Sequence, residues 1–103
     1  IDMTNYSVKR SKDDTVVEVK GHSGYNNKGY DIVCAGISMA TTFTANLISR
    51  LKYKYELLDL KLEEGYFRLQ VKNTDRVLNE IVDNLIETLD ELWYEYPGFI
   101  KRK

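Results

Sequence analysis

The sequence predicts an α+β domain in which two helices pack on one face of a four-stranded antiparallel sheet, in the order β-β-α-β-β-α. Three observations carry this expectation. Two pairs of short segments alternate apolar and polar residues, a stretch from Asp31 to about Leu51 changes to a helical period, and a second stripe of the same period runs from Leu78 to Tyr96.

The first hairpin is Tyr6-Ser7-Val8-Lys9-Arg10 and Thr15-Val16-Val17-Glu18-Val19-Lys20, joined by the polar Ser11-Lys12-Asp13-Asp14. Residues 21–30 follow, with three glycines and two asparagines, and read as a mobile loop, disordered or open in the free protein and closing over an extended peptide. In the next segment Val33, Gly36, Ala40, Phe43, Leu47 and Leu51 recur every three or four residues, which places them on one helical face. Asp31 is a natural N-cap, because its carboxylate can accept from the first turn's unpaired amides. Gly36, Thr41, Thr42 and Thr44 are weak helix formers, so tertiary packing must hold this helix, and its small residues suggest close backbone approach. A second hairpin alternates Leu58, Leu60 and Leu62 with charged residues, turns at Glu64-Gly65, and alternates again at Phe67, Leu69 and Val71. One face of that sheet is therefore covered and the other charged. The last helix carries Leu78, Ile81, Val82, Leu85, Leu89, Leu92 and Tyr96 as its apolar stripe, with Thr74 or Asp75 to cap it and Pro97-Gly98 to stop it.

A chain of 103 residues makes one domain, here residues 1–103. At this size about two-thirds of the unfolded surface is buried, so an oligomer that hides more apolar area would add to stability. A net charge of −1 supplies no electrostatic footprint for nucleic acid or a membrane surface. No apolar run reaches the roughly 18 residues of a membrane span, and the first residues lack the pattern of a signal peptide. Met3 reads as the natural start and Ile1-Asp2 as a cloning remnant. A single cysteine makes no internal disulfide and suits a reducing cytoplasm, and one Cys with one His is too few ligands for a structural zinc. No cofactor is expected.

The two residues with the most chemistry are that cysteine, Cys34, and the single histidine, His22, twelve residues earlier. With Asp31 as cap, Cys34 falls in the first helical turn, where amides and helix dipole favour a thiolate. The amides of Cys34 and Ala35 would then be candidates to receive an oxyanion. A thiolate beside a histidine able to protonate a leaving amine is the minimal apparatus of a cysteine protease. Against this stands the plainer reading of a buried small hydrophobe and a loop histidine. A thiol redox role lacks a resolving cysteine.

The motifs decide between them. Gly21-His22-Ser23-Gly24-Tyr25, followed by Gly29-Tyr30-Asp31-Ile32-Val33-Cys34-Ala35-Gly36-Ile37-Ser38, resembles the ribosomal-processing cysteine protease family. There a Gly-His motif precedes a loop and an Asp-Ile-Val-Cys-Ala-x-x-Ser helix start. The resemblance extends over the element order from Tyr6 onward. It implies a homodimeric bacterial thiol protease of ribosome biogenesis, which trims the amino-terminal extension of ribosomal protein twenty-seven of the large subunit after a motif ending in aromatic residues. It implies Cys34 as nucleophile and His22 as general base and acid. Ser23 and Gly36 depart from the family's usual alanines, small for small.

The remaining candidates each carry two readings. Asp31 caps the helix or orients His22; Ser38, one turn beyond Cys34 on the same face, reaches the site or packs. Tyr25 and Tyr30 line a peptide groove or merely cover the core, and Asn26 and Asn27 supply a third catalytic member or simply shape a turn. Asp83, Glu87, Asp90, Glu91 and Glu95 read as the solvated face of the last helix. The alternative to an enzyme is a non-catalytic module that binds a peptide or ribosomal protein.

Overall fold

A computed structural model describes residues 3–21, 28–51 and 56–103, with residues 28–31 described in backbone alone. The elements run β1 (Thr4–Arg10), β2 (Asp14–Lys20), α1 (Lys28–Leu51), β3 (Leu57–Glu63), β4 (Tyr66–Lys72), α2 (Arg76–Glu95) and β5 (Ile100–Arg102). The sheet has five strands rather than four, in the order β3-β4-β2-β1-β5. The added strand β5 runs parallel to β1, so the sheet is mixed. Its three residues are too few to show an alternating pattern, and it forms because the chain turns back beyond Pro97-Gly98.

Register explains the single covered face. Tyr6 pairs with Val19, Val19 with Phe67, Val17 with Leu69 and Thr15 with Val71, so the apolar residues of three strands project to one side. They join Val33, Ile37, Ala45 and Ile48 of α1 and Leu78, Val82, Leu85, Ile86 and Leu89 of α2 in one core. Both helices thus lie on that side, as the sequence predicts. The opposite face is polar and internally bonded: Tyr66 Oη donates to Glu18 at 2.6 Å, and Arg68 pairs with Asp59 at 2.6 Å.

Asp75 is the cap of α2; its carboxylate accepts from the Leu78 amide at 2.9 Å. Asp90 is not simply a solvated member of the acidic face. It accepts the Tyr6 hydroxyl and lies 3.4 Å from Arg102, joining α2 to β1 and β5. Trp93 packs edge-on to Tyr6, with ring centroids 6.5 Å apart.

Helix α1 departs furthest from expectation. It begins at Lys28, so Asp31 sits within the first turn instead of capping it, and Lys28–Tyr30 belong to the helix instead of the loop. Acidic residues in a first turn are favoured by the helix dipole, so the carboxylate type suits this position as well as a cap. The buried face is also rotated from the one expected. Val33, Ile37, Thr41, Thr44, Ala45 and Ile48 face inward, while Phe43 and Leu51 are exposed. Buried threonines are the reason. Thr41 and Thr44 donate to the carbonyls of Ile37 and Ala40 at 2.9 and 2.8 Å, so their methyl groups enter the core with no hydroxyl left unsatisfied. An unsatisfied hydroxyl there would cost about 1–3 kcal/mol. Because threonine, serine, glycine and alanine carry no charge, Ile32–Leu51 is long and apolar enough by length and composition to cross a membrane, with mean hydropathy 1.5, contrary to the expectation. A core helix meets the same criterion, and α1 contributes four residues to the core.

Candidate active site

Cys34 stands on the seventh residue of α1, half-buried and with no disulfide. The two-turn depth changes one expectation. Amides without an intrahelical acceptor are confined to the first turn, so those of Cys34 and Ala35 fall inside the helical ladder and are not the donors that an oxyanion would need. Ala35 is exposed on the outer side of α1.

The thiol side of α1 forms one wall of a cavity of about 390 Å³. Cys34, Ser38, Thr41 and Thr42 line that wall, which they can share because residues three, four and seven apart lie on neighbouring parts of a helix. Val19, Ile37 and Phe67 form an apolar base, and the β3–β4 turn from Leu62 to Tyr66 forms the opposite rim. Ser38 therefore shares the cavity with Cys34, as its spacing suggests. Leu62 faces the helix side of the sheet beside Phe67 yet is 44% exposed, because the cavity lies over it.

The rim is held by an unusual pair of glycines. Gly21 donates its amide to the Gly65 carbonyl at 3.0 Å. Gly65 has φ of 75°, in the left-handed region, and a Cβ there would lie 2.6 Å from the Gly21 carbonyl oxygen. The charged side chains among the described lining residues are Glu63 and Glu64. Next to them, the hydrogen bond from Tyr66 holds the Glu18 carboxyl below its ordinary range and raises the Tyr66 hydroxyl. Thr4, Gly21 and the β3–β4 turn are lining residues that sequence reasoning misses, since only the tertiary fold brings them to α1. The glycine of Glu64-Gly65 signals a turn, and nothing local says what it faces. His22, Tyr25, Asn26 and Asn27 lie outside the described residues, and Asp31 and Tyr30 are placed by backbone only, in the first turn of α1.

Solved structures share this architecture. SMU.848 of Streptococcus mutans superposes with a TM-score of 0.79 at 23% identity, covering 98% of this chain and 92% of that one. The essential ribosomal processing protease Prp of S. aureus, in complex with a substrate peptide, superposes with a TM-score of 0.79 at 21% identity over 98% of both chains. These likenesses establish the fold. The ribosomal processing cysteine protease Prp of Bacillus subtilis (strain 168) is 31% identical over 67 residues, which are 63% of this chain and 60% of that relative's length. The family model described as cysteine protease Prp matches residues 3–101, so the chain belongs to that family.

Proposed function

We propose that this protein is a cysteine endopeptidase that removes the amino-terminal extension of a large-subunit ribosomal protein, ribosomal protein twenty-seven, in the cytoplasm. The observation that carries the proposal is the position of the chain's single thiol: Cys34 opens into a cavity whose rim is a glycine-locked turn, in a member of a cysteine protease family. The Cys34 sulfur, as thiolate, attacks the scissile carbonyl carbon. As the C–N bond breaks, His22 delivers a proton to the departing amine, leaving a thioester on Cys34. Water, deprotonated by His22, then attacks the thioester and releases the carboxylate and the thiolate. Ser38, which lines the same wall as Cys34, contacts the peptide in this reading.

The active form is a homodimer. Ile32, Ala35, Met39 and Phe43 make one apolar stripe along the outer side of α1, and Ile32, Met39 and Phe43 are exposed by 58, 68 and 68%. A second copy is the partner that this stripe fits, since the helix would cover it with the same surface.

Incubation with the extended ribosomal protein, read by mass spectrometry, tests the proposal. Wild type should release the extension at one bond. Cys34→Ala should not, having no nucleophile, and Cys34→Ser should be nearly as inactive, because a hydroxyl remains un-ionised near neutral pH. His22→Ala should slow cleavage by at least about 10²-fold. Turnover by Cys34→Ala would remove the assignment.

A further inference from the structure

The outer edge of the sheet runs into the candidate site. β3 is the terminal strand on its side, so among the described residues one of its two rows of backbone amides and carbonyls faces no other strand. The opposite edge, β5, is only three residues long. β3 is seven, and its irregularity is confined to the far end, between Leu57 and Asp59. Residues 59–63 pair regularly with β4, and the strand ends where Leu62, Glu63 and Glu64 line the cavity that holds Cys34.

We propose that β3 is the docking strand for an extended peptide, which adds to the sheet along residues 59–63, enters the cavity at Leu62, and sets a basic side chain against Glu63. This rests on the peptidase reading above and specifies how its substrate is held. An extended chain beside an open strand gains main-chain hydrogen bonds, and its alternate side chains fall to opposite faces of the sheet. On the helix side those side chains meet Leu60 and Leu62, which give an apolar track leading to the thiol. On the other side they meet Lys61 and Glu63, and Glu63 is the charged group nearest the cavity end of the strand. The occupant is therefore a peptide with an apolar residue entering the cavity and a Lys or Arg next to it. A folded protein surface would not reach the thiol along this edge, whereas a single extended strand does.

The test uses full-length Cys34→Ala protein and a synthetic peptide that spans the junction of the ribosomal-protein extension. Two further peptides are N-methylated at odd or at even positions. Only alternate amides of an added strand point at the sheet, so one methylated series should bind at least tenfold more weakly and the other nearly as well as the parent. Hydrogen exchange should show slowed amides within residues 59–63 in the complex. Replacing Glu63 by Gln should weaken a lysine-bearing peptide by no more than about fivefold, as suits an exposed ion pair, and leave its norleucine counterpart unchanged. If the parent binds while both methylated series match it and the β3 amides exchange as before, the docking strand is wrong and the peptidase reading stands. If Glu63→Gln affects the lysine and norleucine peptides alike, the assigned basic side chain is wrong. No binding of the parent, together with no cleavage by wild type, overturns both readings.

Discussion

Gly21 and Gly65 are locked together at the rim of the cavity: the Gly21 amide donates to the Gly65 carbonyl at 3.0 Å, and Gly65 turns with φ of 75° so that no side chain intervenes. Gly21 is held from a second side, since a Cβ on it would collide with the Thr4 hydroxyl. The contact joins the end of β2 to the β3–β4 turn and so fixes where the cavity opens.

Gly65→Ala tests this. The left-handed conformation costs a residue with a Cβ about 1–2 kcal/mol, and the 2.6 Å approach to the Gly21 carbonyl adds to that. Urea unfolding should show a loss of at least about 1 kcal/mol. Cleavage should fall further than the unfolded fraction explains, because the rim moves. Unchanged stability and turnover would show that the turn relaxes without cost.

Tyr6 joins β1 to α2 through Asp90, and burial, followed by that hydrogen bond and the Asp90 charge, holds its hydroxyl protonated well above the ordinary tyrosine range. A raised value means that folding favours the protonated form. The stabilisation is therefore complete below the ordinary value of 10.0 and is lost as pH rises above it. Wild type should lose stability steeply on the alkaline side. Tyr6→Phe should begin about 1–3 kcal/mol less stable near neutrality and show a flatter alkaline limb, read by denaturant midpoints across pH. Parallel limbs in the two proteins would assign the alkaline loss to another group.

Phe43 lies on the exposed apolar stripe of α1 and contributes nothing to the monomer's core. Phe43→Glu should leave the secondary structure intact by circular dichroism and raise the dimer dissociation constant at least about tenfold in analytical ultracentrifugation, the loss of one large apolar contact. A wild-type protein that sediments as a monomer at all concentrations would remove the dimer.

How much was legible in the sequence depended on whether a pattern was local. The alternation at Val17-Val19 and Phe67-Leu69-Val71, and the stripe of α2, state their faces directly, since the period alone names the buried side. In α1 the period misleads. Apolar residues occur nearly all round it, and the inward side is chosen by Thr41 and Thr44, which bury through back-bonding that hydropathy does not register. Cys34 and Ser38 could be placed together by helical spacing, whereas Thr4, Gly21 and Gly65 meet them only after two hairpins have folded. β5 escaped because a three-residue parallel strand depends on the position of β1, not on its own sequence.

Gly36 offers a final test, because the sequence suggests close helix packing there and the structure shows space. A Cβ at Gly36 would meet Leu92 Cδ2 at 3.5 Å and Cδ1 at 3.8 Å, which are ordinary contacts. The neighbouring helix approaches with a side chain, not with its backbone, so glycine is not required for the α1–α2 contact. Alanine removes the entropic cost of glycine in a helix interior, about 0.5–1 kcal/mol. It also adds a methyl group against Leu92, which is partly buried against the core. Gly36→Ala should therefore stabilise the protein by about 0.5–1 kcal/mol in denaturant unfolding, with cleavage unchanged because position 36 does not line the cavity. A destabilised variant would mean that α1 and α2 sit closer in solution than the 3.5 Å contact implies.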